Sequence, residues 1–117
     1  MTHTEHLLTV LAEECAEVAQ RASKAVRFGL TEIQPGQGDD NRRRIEKELA
    51  DLVATAELLG LRIRDEDKLA KKDRLAQYMT YSQKVGTLDS RNDWCSNCGA
   101  VLASQEGRSY PSCNSCS

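Results

Sequence analysis

Leu7, Leu11, Cys15, Val18, Ala22 and Val26 recur every three or four residues. At about 100° per residue they share an arc of about 100° on one side of a helix. That spacing commits the start of the chain to an amphipathic helix near residues 4–28, with Thr2 or Thr4 to cap it and Gly29 after Phe28 to stop it. Cys15, lying within the apolar arc, reads as a small buried hydrophobe on the core side. With one Trp, one Phe and three Tyr, the core must be built from Leu, Val, Ile and Ala, which favours helices over strands.

The stretch "LTEIQPGQGDDN" has loop chemistry and ends in three candidate caps, Asp39, Asp40 and Asn41. A second helix follows, with Ile45, Leu49, Leu52, Val53, Ala56 and Leu59 on one face and Gly60 placed to end it. A third is expected from Asp65, where "DEDK" puts acids in the first turn; its apolar residues, Leu69, Leu75, Ala76, Tyr78, Met79 and Val85, form the weakest pattern of the three. "VGTLDSRND" then reads as a linker. The expected organisation is an all-α helical bundle over 1–88 with a small cysteine-bearing tail over 89–117. Three helices supply little core, so burial against further copies of the chain is expected, as a homo-oligomer.

A formal net charge of -2 with 29% charged residues provides no general drive toward nucleic acid. No apolar run approaches the roughly 18 residues of a membrane span. The opening "MTHTEHLLTVLAEE" turns acidic where a signal peptide would stay apolar. The chain is therefore expected to be cytoplasmic and away from membranes.

Glu13, Glu14 and Glu17 crowd "EECAE", and Glu48 and Asp51 repeat the i, i+3 spacing of Glu14 and Glu17 in "EKELAD". Residues three apart on a helix are neighbours. Packing the two helices by their apolar stripes would bring both carboxylate pairs to one margin of the bundle. Such acids repel one another unless a hard divalent cation takes their oxygens, and with no histidine on either helix the donor set suits Mg²⁺ or Mn²⁺. Glu13, Glu17, Arg21 and Lys24 share an arc of about 80°. A metal-bound polyphosphate would need such bases nearby, and Arg27 with Arg42, Arg43 and Arg44 adds positive charge. The competing reading is a solvated acidic face in which Glu17 with Arg21 and Arg44 with Glu48 are ordinary i, i+4 pairs.

"EECAE" and "ELAD", separated by residues 18–47, together resemble the E-E-x-x-E … E-x-x-D pattern of MazG-like, all-α nucleoside triphosphate pyrophosphohydrolases, and "RASKAVRFG" looks like their phage-encoded members. The resemblance covers roughly residues 4–85. It implies an oligomer (dimer or tetramer) that hydrolyses (d)NTP to (d)NMP and pyrophosphate with Mg²⁺ or Mn²⁺, in a host cytoplasm if phage-encoded. By the same resemblance Glu14, Glu17, Glu48 and Asp51 would hold metal, while Glu13 would bind a further ion or orient the attacking water. Lys24 and Arg27, beside the acids, are the candidate phosphate contacts. One phage branch favours dGTP, so a purine preference is the implied specificity.

Cys95, Cys98, Cys113 and Cys116 form two C-x₂-C knuckles, close to the spacing of a four-cysteine zinc ribbon. Four thiolates would close a tetrahedron around a structural Zn²⁺ that contributes folding energy to a segment too short for its own core. Arg91 and Arg108 are too few for a strong nucleic-acid grip. The alternative function is a non-catalytic helical interaction module whose ribbon binds protein or nucleic acid.

Overall fold

In the computed structural model, which describes residues 1–89, all regular structure among the described residues is helical: α1 (His3–Phe28), α2 (Asn41–Leu58) and α3 (Asp65–Lys84). None of these helices is long and apolar enough to cross a membrane. The expected cap at Thr2 is present: its hydroxyl accepts the Glu5 amide at 3.1 Å, satisfying a donor that the first turn leaves unpaired. Gly29 ends α1 with φ 95°, a conformation side chains disfavour, and its amide donates to the Ala25 carbonyl at 2.8 Å. Gly60, at φ 75°, follows α2 in the same way.

The chain divides into two compact units, Met1–Ile63 and a second beginning at Arg64. The division thus falls before α3, whereas the sequence places its boundary at 88/89, where the cysteine tail begins. All four tail cysteines lie outside the described residues.

In the first unit α2 returns along α1 and packs against it. The side of α1 that becomes half-buried carries Leu7, Val10, Leu11, Glu14, Val18, Arg21 and Ala25; that of α2 carries Ile45, Glu48, Leu52 and Thr55, with Leu59 just past its end. The contact on α1 is rotated by about 60° from the centre of the apolar stripe toward the acids. Cys15, Ala22 and Val26, expected on the core side, are instead exposed, Val26 by 87%. A single neighbouring helix covers only part of so wide an apolar arc, and here it covers the half that borders Glu14. Leu49, expected on the packed face of α2, is also exposed at 43%.

Among the described residues only Asn41 and Thr55 are buried, so the hairpin is held as much by its loop as by apolar packing. The Asn41 Nδ2 donates to the Gly29 carbonyl at 2.8 Å and to Glu32 Oε1 at 3.2 Å. The Asn41 and Arg42 amides donate to the carbonyls of Glu32 and Leu30. Asp40, one of the three expected caps, receives the Arg43 amide at 2.9 Å. Arg44 donates to Gln34 Oε1 at 2.6 Å, and Lys47 bonds Asp39, whose carboxyl is held below the usual range chiefly by that hydrogen bond. Because Asn41 and Glu48 lie seven residues apart on one face of α2, this clasp sets the level at which Glu48 meets α1.

The second unit is described by itself. α3 has acids in its first turn and Lys84 in its last, matching the helix dipole. Lys68 pairs with Asp65 at 3.0 Å. Apart from the half-buried Met79, its apolar residues are exposed, Leu69 by 61% and Tyr78 by 58%, in keeping with the weak periodicity, and Val85 lies beyond its end as the C-cap.

Asn41→Ala removes two hydrogen bonds at the most buried side chain and should lower stability by about 1.5 kcal/mol; Asp40→Ala, losing a cap, should cost about 1 kcal/mol. Urea unfolding followed by helical circular dichroism measures both. An unchanged midpoint for Asn41→Ala would show that the clasp does not hold the hairpin.

Candidate metal centre

Two positions in the α1–α2 contact that a helix pair would ordinarily fill with apolar side chains carry acids. Glu14 stands between Leu11 and Val18 on α1, and Glu48 between Ile45 and Leu52 on α2. Glu17, one turn along from Glu14, is exposed at the edge of the same contact. One carboxylate oxygen from each of Glu14, Glu17 and Glu48 lies within 4.8 Å of the other two. Instead of gathering wholly at the bundle margin, the cluster reaches into the helix contact through Glu14 and Glu48.

Asp51, expected to be a fourth ligand, lies one turn beyond Glu48 and is exposed. Its oxygens are not part of the triad, although its charge acts on Glu48. Glu13 is exposed and also outside the triad. Lys24 is half-buried. Arg27 is exposed, with its guanidinium 5.2 Å from the centroid of the Phe28 ring.

The residue whose partner the spacing did not reveal is Arg21. As an i, i+4 neighbour it would pair with Glu17, but its Nε lies 3.8 Å from Glu48 Oε1 across the helix contact, with the two side chains 21% and 17% exposed. Its position seven residues after Glu14, on the same seam, is the signal that it faces α2.

Three atoms of this group are shielded from solvent with no hydrogen-bond partner: Glu14 Oε2, Glu48 Oε2 and Arg21 Nη1. Buried unpartnered oxygens of this kind are costly. Protonation is one relief: the Glu48 carboxyl is pushed above the usual range, first by a hydrogen bond with Glu17 that needs a proton on one of the two, then by burial and by the charges of Glu17 and Asp51, against an opposing pull from Arg21. A cation is another. The donors are all carboxylate oxygens, which fit a hard divalent ion and not a soft one.

A carboxyl whose folded value is raised makes the folded state bind more protons than the unfolded state, so its contribution to stability falls as pH rises through the raised value. In EDTA, the protein should therefore gain thermal stability as pH drops from neutral toward the ordinary carboxylate value, and Glu48→Gln should flatten that gain. Asp39, held low by Lys47, loses its contribution only at lower pH, below its ordinary value, so the two windows separate. Melting curves of both proteins between about pH 4.5 and pH 7.5 decide it; parallel curves would show that the Glu48 proton is not shared with the fold.

Set against known protein families, curated proteins and solved structures, the chain matches none.

Proposed function

We propose that this chain is a Mg²⁺- or Mn²⁺-dependent nucleoside triphosphate pyrophosphohydrolase of the MazG-like kind, converting (d)NTP to (d)NMP and pyrophosphate. The observation that carries the reading is the convergence of Glu14, Glu17 and Glu48 from two helices to within 4.8 Å, with buried oxygens of Glu14 and Glu48 left unpartnered. A bound divalent ion would lower the pKa of a water and stabilise negative charge on phosphate oxygens. Glu14, Glu17 and Glu48 would hold it, and Asp51, one turn from Glu48, completes the acidic motif.

The roles proposed for the chain's own residues come from the sequence resemblance. Glu13, exposed and next to Glu14 in the chain, orients the water and accepts its proton as the new bond to the α-phosphorus forms. The bond to the bridging oxygen breaks, and pyrophosphate leaves with that oxygen. Lys24 and Arg27 neutralise the phosphates, with Arg27 first leaving the Phe28 ring. No protein nucleophile is needed.

The chain is further proposed to work as a dimer or tetramer in the cytoplasm, with Cys95, Cys98, Cys113 and Cys116 closing a structural Zn²⁺ ribbon. The exposed apolar half of α1, together with Leu49 and Leu58 on α2, the latter 74% exposed, supports self-association. A purine such as dGTP is the proposed substrate preference, on the sequence resemblance alone.

Incubating the zinc-loaded protein with each (d)NTP and Mn²⁺ should release pyrophosphate and monophosphate in equal amounts. Glu48→Gln and Asp51→Asn should abolish turnover with helicity unchanged. Removing charge at Lys24 and Arg27 together should raise KM by about tenfold, the loss of charge-assisted contacts. Silence across the whole panel from folded protein would favour the interaction-module alternative, and full activity in Glu48→Gln would remove the metal assignment.

A further inference from the structure

We propose that α1 carries a second packing seam, Leu8, Ala12, Cys15, Ala19, Ala22 and Val26, on which a second copy of this chain packs antiparallel, closing two α1–α2 hairpins into a four-helix bundle. The inference rests on the self-association proposed above, though not on hydrolysis. Along the seam that meets α2, residues follow in alternating steps of four and three: Leu7, Leu11, Glu14, Val18, Arg21 and Ala25. That alternation is the repeat by which packed helices interlock. Shifted by one residue, it recurs unbroken from Leu8 to Val26, and every residue of this second seam is exposed, Leu8 by 49% and Val26 by 87%.

The second seam has the same order of sizes from either end, large residues outside and small ones at the centre. A two-fold axis across it sets Leu8 against the partner's Val26, Ala12 against the partner's Ala22 and Cys15 against the partner's Ala19, each contact made twice, as an isologous interface requires. Thr9, Ala16 and Ser23 border the seam on its outer side and are small and uncharged, so the two backbones approach without like charges meeting. α2 supplies an independent indication. The seam lies about 110° round α1 from the contact with α2, and Leu49, 43% exposed, with the half-buried Val53 and Ala56 lies about 90° round α2 from its contact with α1. Both helices are right-handed and run in opposite directions, so the same sense of rotation brings these two flanks to one side of the hairpin. An antiparallel two-fold places the two copies of α2 side by side over the two copies of α1 and covers both flanks. A parallel one would send the copies of α2 to opposite sides and leave Leu49 uncovered. The shared face is about 27 Å long and two helices, about 20 Å, wide, which gives roughly 540 Å² per copy and about 1,100 Å² in all, enough for a specific interface. Glu13, Glu17 and Asp51 stand on the opposite flank of the hairpin, so the bundle leaves the acids open.

The test uses the zinc-loaded full chain, with one thiol in the seam at a time: the wild type, which has Cys15, and the double variant Cys15→Ser with Ala19→Cys. Under diamide neither protein alone should form a disulfide through α1, because each seam thiol faces a residue without one. An equimolar mixture should link about half of its chains, Cys15 of one to the introduced thiol at position 19 of the other, as read by mass spectrometry of the linked peptides. Light scattering should give twice the chain's mass for the wild type. It should give the chain's own mass for Ala19→Glu, which puts a charge at the centre of the seam; the mixture carries the test if that variant does not fold. A wild type that links Cys15 to Cys15, or a mixture that links no more than its components, would overturn the seam; a doubled mass would then leave self-association standing on another face. A wild type that stays monomeric up to its solubility limit would remove both. A protein that links in the mixture yet releases no pyrophosphate from any (d)NTP would support the seam and remove only the enzyme reading.

Discussion

Three carboxylates and one guanidinium share the contact between two helices, and most features of the first unit follow from having to accommodate them. Glu14 and Glu48 occupy half-buried seam positions where leucines would have made a stabler pair of helices. Clustered acids of this kind destabilise a fold unless protons, an arginine or a metal offset their repulsion. Glu48 shows the first two offsets at once, raised by Glu17 and pulled back by Arg21. The third offset is the one that gives such a cluster a use.

The cluster also depends on features at a distance. With Asn41 the most buried side chain of the unit, the loop from Gly29 to Asp40 is tied to the start of α2 and leaves α2 little freedom to slide along α1. A slip of one turn, roughly 5.4 Å, exceeds the 4.8 Å within which the three oxygens gather. The loop's hydrogen bonds are therefore part of the site's geometry, although none of them touches it. Acids in the seam also reduce the apolar area that α1 and α2 can bury on each other, leaving Val26 and Leu58 open.

The parts that could be read from sequence are those set by local chemistry. The spans of α1, α2 and α3, the caps at Thr2 and Asp40, and the stops at Gly29 and Gly60 all follow from spacing and turn residues. Glu14, Glu17 and Glu48 were legible as partners because an i, i+3 repeat on two amphipathic helices leaves few other ways to dispose of the charge. Periodicity measures how wide an apolar arc is; it does not say which part of that arc one neighbour will cover, and so Cys15, Ala22 and Val26 share the apolar arc and yet lie outside the contact. The pairing of Arg21 with Glu48 was hidden for a related reason, since the register between helices is decided by the Asn41 clasp. Asp51 matches the motif in sequence, and its charge acts on Glu48, but it is not one of the three residues whose oxygens gather within 4.8 Å.

The most direct test of the metal centre is an anomalous difference map from crystals of the full chain grown with Mn²⁺, recorded near the manganese absorption edge. A peak bounded by the carboxylates of Glu14, Glu17 and Glu48 is expected. Manganese bound elsewhere in the crystal, with no peak among these three residues, would contradict it.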